Sequence, residues 1–272
     1  MADFMKLIQN ENMKIYRRVR TWIMLGLIVF IPILISILFY FAVGDRKPSN
    51  WNVMYMEAAI ISVLITIFTV VKAADSVAGE FTWGTIKLLL IRPWSRSSIL
   101  LSKFLSLLLF ALLFTIVAFV VTWLVNTLLF GYSSTPDDLI DYSVNSLAVT
   151  DSPWAYMLLL FLCHYIGLIF VVTFGFMMSA AFRSGGLAIG LSIFLLLSGN
   201  LITGMIVAFT DKPWVKYLPF LHTDLTSYLN GGTGPIPDHP MTLAFSLTVL
   251  AGYFILFNLV SWLVFCKRDV AA

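Results

Sequence analysis

Residues 104–130 read FLSLLLFALLFTIVAFVVTWLVNTLLF, from Phe104 to Phe130, without one charged side chain. As a helix rising about 1.5 Å per residue, this stretch would reach about 40 Å, more than the roughly 30 Å of a bilayer's hydrocarbon core. Five more stretches of that kind flank it, at Trp22–Val43, Val53–Val71, Trp154–Ala181, Gly185–Phe209 and Thr242–Phe265. The whole chain is 60% hydrophobic and 11% charged, with a mean hydropathy of +0.94. So few charges cannot cover a soluble globule of 272 residues. The reading is an all-α polytopic membrane protein, one transmembrane domain over residues 1–272 with six spans. Disorder, a disulfide scaffold and a cytosolic enzyme are excluded.

The first span is too long for the apolar region of a signal peptide, and Gly44-Asp45-Arg46 is no small-residue cleavage site, so it is expected to stay in place. Cys163 lies inside an apolar run and Cys266 beside Lys267 and Arg268, so no disulfide is expected. Of the seventeen Lys and Arg, thirteen fall on one side of the predicted spans, and only Arg46, Lys47, Lys212 and Lys216 on the other. The positive-inside rule then puts both termini in the cytoplasm, at the cell membrane. An even number of spans agrees. Trp22, Trp51, Trp154, Trp214 and Trp262 fall near span ends, as interfacial aromatics do. The basic residues hug membrane ends, which argues against nucleic acid as a partner.

Outside the spans, Asp3 to Arg20 reads as an amphipathic helix within an interfacial segment 1–21. Phe4, Ile8, Ile15 and Val19 share one face, with Lys6, Asn10, Lys14 and Arg17 opposite. A basic helix of that kind lies along a leaflet surface; the blander reading is a topogenic basic flank. The connection 72–103 holds a second short helix at residues 79–90, stopped by Pro93 because the preceding Arg92 is pushed out of helical geometry. On it Glu80, Gly84 and Lys87 share a face flanked by Trp83, beside the apolar Phe81 and Leu88. A helix that mixed suits one that rests on the membrane and also meets a protein.

The run Glu80-x-x-x-Gly84-Thr85-x-x-x-Leu89-x-x-x-Pro93-x-x-Arg96, with Lys103 seven further on, resembles the signature region of type-2 ABC transporter permeases. The six spans, the amphipathic N-terminal helix and the single substantial loop between spans two and three resemble that family too. The resemblance implies an exporter-like permease, paired as a dimer with itself or a similar chain and driven by two separate ATPase subunits. It makes the N-terminal helix an elbow helix and the 72–103 loop the carrier of a coupling helix. Glu80, Trp83, Gly84, Thr85, Lys87, Arg92, Pro93 and Arg96 are then the ATPase-coupling residues. ATP and Mg would belong to the partner. The chain has no Gly-x4-Gly-Lys-Ser/Thr and no segment long enough for a nucleotide-binding domain, so no enzyme activity or cofactor of its own is expected.

Between the last two spans, residues 210–241 crowd Trp214, Tyr217, Leu218, Phe220 and Leu221 outside the membrane. Re-entrant helices, which the family has at this place, are the expectation. Trp214, Tyr217, Phe220 and Leu221 are then outer-gate candidates; a surface loop with interfacial aromatics is the alternative. Residues 131–151 read as a plain solvated loop.

Three polar residues inside the spans are candidates for the substrate pathway. Glu57 either acts there, or snorkels to the outer interface or pairs with Arg46 or Lys47. His164 either lines a path or bonds a neighbouring helix, and Asn200, with Asn126 and Asn258, reads first as interhelical glue. Gly186-x3-Gly190 allows close helix approach, within one subunit or between two. No cluster has metal-ligand spacing. The rival to an ABC permease is an ion-coupled secondary transporter titrating Glu57 and His164. An intramembrane hydrolase using His164 lacks a nucleophile pair.

Overall fold

The computed structural model describes residues 2–44, 48–86, 94–133, 152–210, 212–229, 234, 236 and 240–267. Seven α-helices run through them: α1 Ala2–Tyr16, α2 Val19–Val43, α3 Asn50–Thr82, α4 Arg96–Phe130, α5 Pro153–Ala181, α6 Gly185–Phe209 and α7 Leu243–Lys267. The last six are long and apolar enough to cross a membrane. The chain is a multi-pass membrane protein.

The helix ends follow from local chemistry. Ser49 caps α3 by accepting from the Trp51 amide, and Ser95 caps α4 by accepting from the Ser98 amide at 3.1 Å. Pro153 occupies the first turn of α5, where its missing N–H costs nothing. Two spans run well past their apolar stretches. α3 continues through Lys72, Asp75 and Glu80 to Thr82, and α4 begins at Arg96 instead of Phe104. Hydropathy ends at those charges, but the helices do not, because partners on other helices take the charges up. Of the expected loop 72–103, residues 72–82 belong to α3 and 96–103 to α4. Glu80 sits in the last turn of α3, and Gly84 has a φ of +69°, so they do not share a face of one helix at 79–90.

α3 and α5 form the centre of the bundle. α3 packs against α2, α4, α5 and α6, and α5 also packs against α7. The core runs from Trp51, Met54 and Ile61 through Phe110, Phe114 and Met157 to Val77, Leu107 and Phe176. α2, α6 and α7 are peripheral and leave large apolar side chains exposed, among them Phe41, Leu201 and Ile255. Lipid or another subunit covers such faces.

α1 ends at Tyr16, short of the expected Arg20, and the chain bends into α2. The Thr21 hydroxyl donates to the Ile15 carbonyl at 2.6 Å and the Trp22 indole to the Tyr16 carbonyl at 2.8 Å, so α2 itself satisfies the end of α1. Phe4, Ile8 and Ile15 of the predicted stripe are half-buried, with Phe4 and Ile15 packed on the core, but the most buried residues of that face are Leu7 and Glu11, and Val19 is 73% exposed. Lys14, expected on the outer polar face, turns inward. The reason is an ion-pair network.

Candidate functional site

At the end of the bundle where α1 meets the α3–α4 turn lies a cavity of about 670 Å³. Lys103, one turn into the apolar part of α4, is 5% exposed. Its ammonium donates to Glu11 Oε2 at 2.8 Å and to Glu80 Oε1 at 2.9 Å. Lys14 reaches the same two carboxylates, Glu11 at 2.7 Å and Glu80 at 3.4 Å, and the Thr85 hydroxyl closes on Glu80 Oε2. Four charges thus join α1, α3 and α4 in a neutral node. Burial alone would raise the Glu11 carboxyl, but Lys103 and Lys14 beside it hold it below its ordinary value of 4.5.

The node decides what the sequence-nominated residues can do. The Glu80 carboxylate is spent inside the chain. Trp83, next to it on the turn, is 72% exposed, and Thr85 is also exposed. Arg96 opens α4 and donates to the Cys266 carbonyl of α7 at 3.1 Å. Lys87, Arg92 and Pro93 lie outside the described residues. Of the node's other members, Lys103 stood in the recognised motif, whereas Glu11 and Lys14 carried no signal beyond their charge.

A second concentration of polar contacts lies at the opposite end, between α6 and α7. Here the chain forms three 3-10 turns, Pro213–Tyr217, Pro219–His222 and Thr226–Tyr228, where helices had been expected. Pro213 and Pro219 each open a turn, and a proline so placed blocks a continuous α-helical ladder. The Phe220 ring sits edge-on to Phe170 at 6.0 Å and Phe174 at 6.4 Å, against Gly199 of α6. A Cβ on Gly199 would fall 2.4 Å from that ring, and one on Gly167 would fall 2.3 Å from the Thr223 carbonyl. Gly199 lies ten residues before the end of α6, about 15 Å of helix. Of the gate candidates, Trp214 and Tyr217 are exposed, and Phe220 and Leu221 are half-buried.

The residues that the sequence reading missed are the buried ones. His222 is fully buried: its Nδ1 meets the Ser246 hydroxyl at 2.8 Å and its Nε2 the Lys216 carbonyl at 2.7 Å, while the Tyr228 hydroxyl meets Ser246 at 2.6 Å. Facing a carbonyl, Nε2 must carry a proton, so in the neutral ring Nδ1 accepts from Ser246. Burial lowers the imidazole's pKa below 6.5, partly opposed by the Lys216 carbonyl, and no carboxylate pairs with it among the described residues. A lowered folded value means that the neutral form stabilises the docked segment above pH 6.5, and that this contribution is lost as pH falls from there through the folded value. Acidification from pH 7.5 to 5 is therefore expected to lower the unfolding midpoint of the wild type more than that of His222→Gln. Equal slopes in a thermal titration would contradict it.

The span residues are placed as follows. Glu57 is 1% exposed; Ser36 donates to its Oε1 at 2.5 Å and Asn126 to its Oε2 at 2.7 Å, so α2, α3 and α4 meet at it. It does not snorkel. His164 binds its own helix through the Leu160 carbonyl at 2.9 Å and lines a cavity of about 10 Å³ that excludes Glu57. Asn200 and Asn258 bond their own helices at Leu196 and Phe254 instead of bridging. A Cβ on Gly186 or Gly190 would meet nothing within 4 Å, so among the described residues no helix uses that close-packing pair.

Comparison with known proteins adds two relatives from Bacillus subtilis (strain 168). The chain is 37% identical over 229 residues to "Uncharacterized protein YhcI", covering 84% of this chain and 71% of that one. It is 31% identical over 210 residues to "Uncharacterized membrane protein YdbK", covering 77% and 79%. Residues 22–271, from the first span to the C-terminus, match the family described as "Protein of unknown function (DUF2705)", and the chain belongs to that family.

Proposed function

We propose that this chain is the permease subunit of an ATP-driven ABC exporter in the cell membrane, with both termini cytoplasmic. Two copies, or this chain and a similar one, frame the substrate path, and two separate ATPase subunits drive it. The observation that carries this reading is the charged node under an exposed tryptophan. Lys103 ties α1, the end of α3 and the start of α4 into one body, and Trp83 projects from it at 72% exposure. A partner pushing on that turn pushes directly on α3, the central helix of the bundle. Coupling a distant ATP site to the spans needs such a contact, one that differs between two states. α1 acts as the elbow helix, and the turn after α3 takes the place of a coupling helix.

The open Gly186 and Gly190 on α6 supply a face for the second copy. Asn200, exposed on the same helix, is the pathway candidate that can face a cleft between copies. Glu57, enclosed by three spans, braces them. At the outer end the segment 213–228 is re-entrant and closes the path, with Phe220 as its plug.

Trp83→Ala tests the docking contact. An exposed aromatic that becomes an interface anchor contributes about 2 kcal/mol or more, so the ATPase should bind roughly thirtyfold more weakly while the thermal midpoint of the chain stays put. Unchanged ATPase affinity, measured on the purified complex, would contradict the assignment.

A further inference from the structure

The cavity at the basic end has two halves of different charge. Around Lys103, two ammoniums meet two carboxylates and cancel. The other half, where α1 bends into α2, holds Arg18, Arg20 and Lys72 against the single carboxylate of Asp75. Arg18 takes that carboxylate at 2.9 Å. Lys72 is left 8% exposed, with the Thr21 hydroxyl at 3.2 Å as its acceptor and no carboxylate in contact among the described residues. Thr21 gives its own proton to Ile15, so the ammonium keeps two N–H groups for something else. Arg20 is exposed and takes part in no ion pair among the described residues.

Asp75, the one carboxylate near Lys72, is already held by Arg18, so this half carries three cations against one anion. A buried cation so under-compensated is costly, and the cavity beside it offers room for a further anion. The backbone points the same way. α2 begins at Val19 with no side-chain cap and no acidic residue in its first turn, and Val19 and Arg20 of that turn line this half of the cavity, so the positive end of the helix lies beside it.

We propose that this half of the cavity binds the phosphate of an acidic membrane phospholipid. Phosphate is the anion whose several oxygens suit an ammonium, a guanidinium and the positive end of a helix together. The source follows from the rim. Val19 lines the cavity and is 73% exposed, and Trp22 and Ile23 continue up the same span at 62% and 59%. An acyl chain attached to the phosphate has an apolar track to follow there. A soluble phosphate meets that apolar rim with nothing to place on it. Basic pockets between the ends of spans hold anionic headgroups on the same principle. The lipid would complete the bend between α1 and α2, so the position of α1 would depend on membrane composition. None of this depends on an ATPase partner.

The test uses the purified full-length chain in a non-ionic detergent, titrated with dioctanoyl phosphatidylglycerol, dioctanoyl phosphatidylcholine or sodium phosphate. Phosphatidylglycerol should bind saturably, at least about tenfold tighter than phosphatidylcholine, and raise the thermal midpoint. Lys72→Gln and Arg20→Gln should each weaken it by about tenfold, while Lys212→Gln at the opposite end changes nothing. Arg20 is exposed, so its variant carries the test if Lys72→Gln fails to fold. Equal binding of the two lipids, or a cavity variant that binds like wild type, would overturn the site. Displacement of the lipid by sodium phosphate alone would overturn the lipid as the source.

Discussion

Lys103→Met should destabilise the chain by about 3 kcal/mol, near the low end of what breaking a buried ion pair costs. The ammonium lost is 5% exposed and bridges two carboxylates, on α1 and α3, that are themselves mostly buried. Removing it leaves Glu11 and Glu80 with Lys14, whose side chain is 37% exposed and whose contact with Glu80 is 3.4 Å. That partial substitute keeps the cost from reaching the top of the range. The Arg18–Asp75 pair makes the contrast: with 48% of the arginine exposed, it contributes about 1 kcal/mol or less. Glu80→Lys, which brings a third ammonium to the node, should be worse than Lys103→Met, and the swap Glu80→Lys with Lys103→Glu should recover part of the loss. Chemical or thermal unfolding in detergent reads all three. A loss below about 1 kcal/mol for Lys103→Met would mean that the node does not hold α1 in place.

The second large effect is expected at the opposite end. Phe220→Asp places a carboxylate against the rings of Phe170 and Phe174, a partial burial that costs about 2 kcal/mol or more. Gly167→Val undoes the same docking from the other side, because its Cβ would stand 2.3 Å from a backbone carbonyl that cannot rotate away. Both variants should lift the segment off the bundle. Cys163 reports the movement: it is 7% exposed and shares a cluster with Leu225, Tyr228 and Phe220. In a Cys266→Ser background, a maleimide should leave Cys163 unmodified in the wild-type segment and label it in either variant. Protection that persists in both would show that the segment is not what covers Cys163.

The six spans were legible because each carries a long apolar stretch, and a bilayer leaves such a stretch few alternatives. Where the reading stopped short, the cause is the same at both ends of the molecule. Lys72, Asp75 and Glu80 looked like the end of a span because hydropathy treats each charge alone. In the structure Asp75 and Glu80 have partners tens of residues away, Arg18 and Lys103, and the helix runs on. The amphipathic face of α1 was incomplete for that reason too: Phe4 and Ile15 do pack on the core, but Glu11, which counts as polar by itself, points inward with them to Lys103. At the far end, aromatic crowding located the segment without saying which residues dock. Trp214 and Tyr217 remain outside, while His222, silent in the sequence, is held by Ser246 from a helix that begins 21 residues later. Pairings across the chain decide these details, and no local pattern encodes them.

The central claim is that this chain is driven by an ATPase docked at the Trp83 turn. The most direct measurement is ATP hydrolysis by the tagged chain purified from its native membrane, with the accompanying subunits identified by mass spectrometry. The account predicts a stoichiometric partner carrying a Gly-x4-Gly-Lys-Ser/Thr motif, hydrolysis in the wild-type complex, and a marked fall in both in Trp83→Ala. A chain that purifies alone, hydrolyses no ATP and moves solute on an ion gradient would contradict it.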